Sequence, residues 1–144
     1  MAKFKFRLQP VIKVKEMQEK KIQRELAEIK KNILEREARI DDLREEREKL
    51  VSSSPVEGRI KAGEMSVRQD YFRRISDEIH FENSNLHKLA QSESKKIDEA
   101  LDVKKDKEAI EKLKEKRLRE FKREEEKTEQ VLIDSLAQRL GVQG

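Results

Sequence analysis

The fold of this chain is decided by residues 51–66, which are Val51-Ser52-Ser53-Ser54-Pro55-Val56-Glu57-Gly58-Arg59-Ile60-Lys61-Ala62-Gly63-Glu64-Met65-Ser66. Proline lacks a backbone donor and glycine gives up the most backbone entropy in a helix, so the stretch predicts a break between two helices. Ser54 stands three residues before Glu57, and Ser66 stands three before Gln69, which is the spacing of a helix-capping box. We therefore predict a breaker loop over about 52–66, with a short helical turn near Pro55 and a second helix that begins at about 67.

The segment before the loop carries a seam of side chains at alternating four-residue and three-residue steps. A spacing that averages about 3.5 residues keeps one face of a helix against a partner helix, and therefore predicts a coiled coil. We predict a first helix over about 8–51. Four charged members interrupt the seam; either their stems lie along it while their charges reach water, or Arg36 and Arg47 face a partner protein. The seam positions are Leu8, Ile12, Lys15, Glu19, Ile22, Leu26, Ile29, Ile33, Arg36, Ile40, Leu43, Arg47 and Leu50.

The segment after the loop continues the seam less regularly. Its apolar positions shift by one residue at Lys96-Ile97, which resembles a four-residue stutter. No Gly or Pro lies between Met65 and Gly141, so we predict a second helix over about 67–139 with no partner in this chain beyond about Leu113. The predicted fold is all-α: a two-helix antiparallel coiled-coil hairpin with a longer second helix, in a single coiled-coil domain over 1–144.

Composition agrees with a coiled coil and excludes a globular enzyme. Charged residues make up 46% of the chain and aromatic residues 4%, too little apolar material for a large core. The 35 basic and 31 acidic residues nearly cancel, which indicates a helix surface laced with ion pairs more than a nucleic-acid footprint. There is no cysteine, and no apolar run long enough for a signal peptide or a membrane span. We predict a cytoplasmic protein with no direct membrane insertion.

Motifs that carry chemistry are missing from the sequence. None of the four glycines stands in a phosphate-binding spacing. The two histidines, His80 and His87, are seven residues apart, whereas two ligands on one helix must be neighbours about one turn apart. Asp77 and His80 have the closer spacing, but in so charged a helix it favours a solvated pair over a metal site. We predict no enzyme activity, no cofactor and no metal.

The densest basic stretch, residues 104–123, allows two interpretations. Glutamates and Asp106 are threaded through it and can form pairs one turn apart, which is typical of a solvated helix face. Alternatively, it complements an acidic surface on another protein. Nucleic acid is disfavoured because Phe121 is its only stacking aromatic.

Tyr71 and Phe72 are adjacent bulky aromatics at the start of the second helix. Neighbouring positions on a helix point about 100° apart, so both cannot lie fully in the seam. We predict that Phe72 lies in the seam and that Tyr71 is exposed, where an aromatic is typical of a binding hot spot.

Signatures at both ends of the chain and at the start of the second helix resemble the FliJ family, the small coiled-coil components of the bacterial flagellar type III export apparatus. They are Phe4-x-Phe6-Arg7-Leu8-x-Pro10-Val11-Ile12, Glu25-Leu26-Ala27, Tyr71-Phe72-x-x-Ile75 and Glu129-Gln130-x-x-x-Asp134-x-x-Ala137. One departure is Ser135, where the family usually has an acid. The resemblance implies a stalk that resembles the ATP synthase gamma shaft. Such a stalk stands in the hexameric export ATPase, stimulates it, contacts the export gate membrane protein and escorts export chaperones.

The resemblance and the unpaired helix end give two sets of candidate contact residues. Matching the family's gate-contacting positions onto this sequence gives Ile40, Leu43, Tyr71 and Ile75. For the ATPase ring, the unpaired end of the second helix supplies Leu113, Lys114, Arg117, Phe121, Leu132 and Leu136. Two other functions remain open: a generic coiled-coil chaperone that holds clients between its helices, and a scaffold that forms a homodimer through its seam.

Overall fold

The chain is described by a computed structural model that covers residues 3–53 and 62–141. Over these residues it forms two α-helices, α1 (Gln9–Ser52) and α2 (Ala62–Arg139), and no strand. The helices pack against each other and α2 is the longer, 78 residues against 44. The predicted all-α hairpin is confirmed. The predicted helical turn near Pro55 and its cap at Ser54 lie outside the described residues.

The helix α2 begins at Ala62, about five residues before the predicted start. Gly63 and Ser66 therefore lie inside its first turns, and Ser66 is not a cap. The amides of a first turn have no intrahelical partner in any helix, and one glycine costs only about 1 kcal/mol there. Glu64 stands in this first turn, where a negative charge is favourable against the positive end of the helix dipole. These residues are therefore compatible with helix although their type indicates a loop.

Contacts along the chain divide it into two compact units, each made of a stretch of both helices. The loop-side unit is Lys21–Ala100, and the terminal unit combines Met1–Lys20 with Leu101–Gly144. The loop-side unit has a core of four aliphatic residues, with Leu50 and Leu86 packed against it. Leu43 is its most buried side chain, at 1% exposure. The four core residues are Ile40, Leu43, Ile75 and Ile79.

Burial along α1 follows the predicted seam. Each of the thirteen positions from Leu8 to Leu50 is buried or half-buried, and between them only Gln9 and Glu25 are also shielded. A helix keeps one such stripe covered only when it supercoils with a partner, because about 3.5 residues per turn is the coiled-coil repeat. The prediction for the first arm is thus confirmed position by position.

The seam of α2 keeps strict four-residue and three-residue steps, so the predicted stutter at Lys96-Ile97 is wrong. Lys96 is half-buried and Ile97 is 42% exposed. The reason is the carboxylate of Glu25 on α1, whose Oε2 lies 2.6 Å from Lys96 Nζ. That contact holds the lysine stem along the partner helix and keeps the register. The α2 seam positions are Ile75, Ile79, Glu82, Leu86, Leu89, Glu93, Lys96, Ala100, Val103, Lys107 and Ile110.

Residues Lys3–Leu8, which we call the N-terminal strap, are not helical and lie against α2. The ring centroids of Phe4 and Phe121 are 5.5 Å apart. The prediction that α2 has no partner beyond Leu113 is therefore wrong as far as Phe121. An extended chain covers about 3.3 Å per residue against 1.5 Å in a helix, so residues 3–6 reach over about two turns of α2.

Candidate functional site

Aromatic and aliphatic side chains are exposed at the end of the loop-side unit. Tyr71 is 43% exposed, as predicted. Phe72 is 40% exposed, so the prediction that it lies in the seam is wrong. The α1 seam residue near Phe72 is Arg47, whose guanidinium lies 6.0 Å from the centroid of the Phe72 ring. A cation over an aromatic face keeps the ring at the surface, because the charge must stay hydrated.

Two open clefts lie beside these aromatics. One, of about 680 Å³, is lined by Leu50, Met65 and Phe72 among others. The other, of about 650 Å³, contains Tyr71 and the last turn of α1. Between the helices, Arg68 Nη2 donates to the carbonyl oxygen of Ser53 at 3.1 Å, which ties α2 to the end of α1. We call this region, with its two clefts, the loop-end surface.

The residues predicted to contact the export gate fall into two groups. Tyr71 belongs to the loop-end surface. Ile40, Leu43 and Ile75 are buried together in the core of the loop-side unit. Ile75 is four residues after Tyr71 on α2, so the core lies one turn from the exposed ring. Tyr71 is thus exposed to the solvent, whereas the other three are buried inside the chain and offer no surface to a partner.

Exposed apolar side chains continue along α2 near its end. Leu132, Leu136 and Leu140 are 56%, 50% and 77% exposed, and Ile133 between them is 57% exposed. Residues four apart share a helix face, so these four side chains form one apolar surface. We call it the terminal stripe. Two of the residues predicted to contact the ATPase ring, Leu132 and Leu136, belong to it.

The other four predicted ring contacts lie nearer the N-terminal strap. Leu113 and Phe121 are half-buried and line a cleft with the strap. Lys114 is also half-buried, and its Nζ donates to Gln9 Oε1 at 2.7 Å. Arg117 is exposed and lies 3.9 Å from Glu120 on its own helix. Of this group, the structure leaves Arg117 the most accessible.

Charged side chains in or beside the seam of α1 meet charged side chains of α2, which the sequence reasoning missed. Arg36 Nη1 lies 2.7 Å from Glu82 Oε2, so its head is bound within the chain and does not point to a partner protein. These pairs could have been predicted from the sequence, because antiparallel pairing of the two arms brings residues of opposite charge side by side. The other pairs between the arms are Lys15 with Asp106, Glu19 with Lys107, Glu25 with Lys96 and Arg39 with Glu78.

Ionisation of the Glu25–Lys96 pair responds to the contact between the two side chains. The hydrogen bond from Lys96 holds the pKa of the Glu25 carboxyl below its ordinary value. In return, the hydrogen bond to Glu25 raises the pKa of Lys96. Both charged forms are therefore favoured in the folded chain. This seam is held by apolar contacts and by charge pairs in alternation.

A family model described as "Flagellar FliJ protein" matches residues 4–143 of the chain. The chain belongs to the FliJ family. Comparisons with curated proteins and with solved structures returned no match. FliJ family members are non-catalytic components of the flagellar export apparatus, and the resemblance read from the sequence is confirmed at that level.

The FliJ family match covers both surfaces described above, the loop-end surface and the terminal stripe. Within residues 3–53 and 62–141, no group of three or more acidic, His or Cys side chains could hold a metal ion. In the same residues, no helix is long and apolar enough to cross a bilayer. What the described side chains offer is two surfaces with exposed apolar side chains, one in each compact unit.

Proposed function

We propose that this chain is the non-enzymatic coiled-coil stalk of the flagellar type III export apparatus. The terminal unit inserts into the hexameric export ATPase and stimulates it, and the loop-end surface links that ATPase to the export gate membrane protein. The observation that carries the proposal is the terminal stripe. It is a contiguous apolar surface left open at the end of a chain whose seam is otherwise covered.

The contact with the ATPase ring follows from the cost of that exposure. Burying apolar surface gains about 25 cal/mol per Å², so four exposed aliphatic side chains on one face indicate a partner. The preceding turns of the helix are basic from Lys112 to Arg123, which suits acidic groups in the wall of the ring. Exposed ion pairs with the ring are weak and are screened by salt. Weak contacts suit a stalk that must not be held in one fixed position in the ring. The proposed contacts are Leu113, Lys114, Arg117, Phe121, Leu132 and Leu136.

The contact with the export gate is made by Tyr71. An exposed aromatic at the rim of a cleft is the type of residue that dominates binding energy. Ile40, Leu43 and Ile75 support it, because their packing fixes the turn of α2 on which Tyr71 stands. In this role the chain acts as one coiled-coil domain on the cytoplasmic face of the membrane. It is associated peripherally with the apparatus and binds export chaperones there, with no affinity for nucleic acid.

ATPase stimulation by the purified chain tests the proposal. We expect the double substitution Leu132→Ser with Leu136→Ser to raise the concentration needed for half-maximal stimulation at least tenfold. The matched control is Met17→Ser with Leu34→Ser, two exposed apolar residues on α1, and it should leave that concentration within twofold of the parent. Circular dichroism should be unchanged in both. Equal loss in both doubles, or none in either, would contradict the proposal.

Binding to the purified cytoplasmic part of the export gate tests the other end. Tyr71→Ala should weaken binding at least fivefold while helicity is retained. Phe81→Ala is the matched control, since Phe81 is an exposed aromatic of α2 outside the loop-end surface. Undiminished binding of Tyr71→Ala would remove Tyr71 from the interface.

The terminal stripe also favours one different function, a homodimeric scaffold. Two copies could cover their stripes against each other, as coiled-coil helices do. Sedimentation equilibrium separates the two functions. A dimer that the Leu132→Ser and Leu136→Ser double substitution dissociates, together with no ATPase stimulation by the parent chain, would establish the scaffold.

A further inference from the structure

The N-terminal strap has an apolar and a cationic face. Along it, half-buried side chains alternate with exposed ones. Over residues 3–6 this period of two is that of an extended segment laid against a surface, and the chain then turns at Arg7 and Leu8, where the amide of Gln9 donates to the carbonyl oxygen of Phe6. Phe121 of α2 is the ring that Phe4 contacts, so the apolar face is the inner one. The inner side chains are Phe4, Phe6 and Leu8, and the outer ones are Lys3, Lys5 and Arg7.

The strap meets α2 through the apolar contact between Phe4 and Phe121. Among the described residues, no hydrogen bond or ion pair joins residues 3–8 to α2; the nearest is the bond from Lys114 to Gln9, the first residue of α1. A cleft of about 720 Å³ lies between the strap and α2, and charged side chains of both signs line it, among them Lys5, Arg117, Glu120 and Glu124. Ordering the strap costs conformational entropy, and only partial apolar burial offsets that cost. Such a contact can open over the first residues of the strap while the carbonyl oxygen of Leu8 still accepts from the amides of Val11 and Ile12 at the start of α1.

The strap covers the surface that leads to the terminal stripe. Leu113 and Phe121 both line the cleft beneath it. Phe121 stands eleven residues before Leu132, about three helical turns, so the two side chains share a face of α2. Residues 122–130 between them are polar or charged, so opening the strap would expose a second apolar patch, with an aromatic ring, about three turns before the terminal stripe.

We propose that the N-terminal strap is an autoinhibitory cover, which must leave Phe121 before the terminal unit engages the export ATPase fully. The inference rests on the proposed function, since it regulates that same surface. With the strap in place, the surface near Phe121 presents cations to the solvent. With the strap displaced, it presents Leu113 and Phe121. The ATPase hexamer competes with the strap for these side chains. A strap that is bound more weakly therefore gives tighter binding of the chain to the ATPase.

Chymotrypsin tests the strap in the free full-length chain, independently of the ATPase. The protease must bind the Phe6 ring itself, so cleavage after Phe6 reports detachment of the strap. Phe4→Ser and Phe121→Ser, which remove the contact from its two sides, should each accelerate this cleavage at least fivefold. Phe81→Ser, on an exposed face of α2, should not change it. Unchanged cleavage in both strap variants would overturn the inference.

ATPase stimulation tests the regulatory role. Phe4→Ser should lower the chain concentration for half-maximal stimulation at least threefold, and Phe4→Leu, which keeps an apolar side chain, should stay near the parent. An unchanged or higher concentration for Phe4→Ser would show that the strap is idle or part of the binding surface, and would overturn the inference. If the parent chain gives no stimulation, the proposed function and the regulatory role fall together. The chymotrypsin result then still decides whether the strap is detachable.

Discussion

Single seam residues of α1 differ in chemistry, yet each charged one has a contact on α2. Lys15, Glu19 and Arg36 lie opposite charges of the other sign, and Arg47 lies over the Phe72 ring. A charged side chain at a half-buried position is costly unless it is paired, because partial burial removes water. The pairs therefore allow a chain with 46% charged residues to keep a continuous seam.

At the residue scale, Leu43 should dominate stability. It is the most buried side chain of the loop-side core, and cutting a buried leucine to alanine costs about 3 kcal/mol through lost contacts and a cavity. We expect Leu43→Ala to lower the free energy of unfolding by about that amount in urea titrations followed by circular dichroism. Leu34→Ala, at an exposed position of the same helix, should change it by less than about 0.5 kcal/mol. If Leu43→Ala and Leu34→Ala changed the free energy of unfolding by similar amounts, the assignment of Leu43 to the seam would be contradicted.

The Glu25–Lys96 pair should make stability depend on pH in the acid range. The hydrogen bond from Lys96 lowers the pKa of Glu25 from 4.5 in the folded chain. A lowered folded-state pKa adds stability above the unfolded pKa and loses it as pH falls through the folded pKa. We expect Glu25→Gln to lower the urea midpoint at pH 7 and to lower it less at pH 3, where protonation removes part of the charge.

The matched control for that titration is Glu28→Gln, on an exposed position of the same helix. Its urea midpoint should follow the parent chain at both pH values. A Glu25→Gln effect of equal size at pH 7 and pH 3 would show that the carboxyl charge does not contribute.

At the scale of elements, α1 was predictable from the sequence and α2 only in part. Nine of the thirteen seam residues of α1 are aliphatic, so periodicity alone located every position. In α2, Glu93, Lys96 and Lys107 occupy the seam, and an apolar pattern cannot identify a lysine whose stem is half-buried. The apolar pattern therefore assigned Ile97, and not Lys96, to the seam.

Substitution of Ile97 tests whether the α2 seam is continuous. Because Ile97 is exposed, Ile97→Ser should change the free energy of unfolding by less than about 0.5 kcal/mol. Leu89→Ser, at a half-buried seam position of the same unit, should cost about 1.5 kcal/mol. Urea titration of the two variants is the measurement. If Ile97→Ser lowered the free energy of unfolding more than Leu89→Ser does, Ile97 would belong to the seam and the predicted stutter would be correct.

The two surfaces differ in how far the sequence could locate them. Exposure of Leu132 and Leu136 followed from the length of α2 beyond α1, which needs no side-chain detail. The strap did not follow, because Phe4 and Phe6 precede the helix and carry no helical period that points to Phe121. Likewise, Phe72 fits the seam spacing and is displaced by the chemistry of Arg47, which a binary apolar pattern does not include.

At the scale of the whole molecule, the proposed stalk has a polarity: one compact unit carries the loop-end surface and the other carries the terminal stripe. A component that joins an ATPase to a gate needs separate surfaces for the two, because one surface cannot be buried against both. The placement of Tyr71 and of Leu132 in different units satisfies this requirement.

Truncation after Glu125 tests that polarity. It removes the terminal stripe but keeps Phe121, so the contact between Phe4 and Phe121 and the loop-side core stay intact. We expect ATPase stimulation to fall to the basal rate because the apolar contacts with the ring are lost, and gate binding to stay within twofold of the full chain. Steady-state ATPase assays and gate pull-downs on the same preparation are the measurements. Full stimulation by the truncated chain, or loss of gate binding with stimulation retained, would reverse the assignment of the two ends.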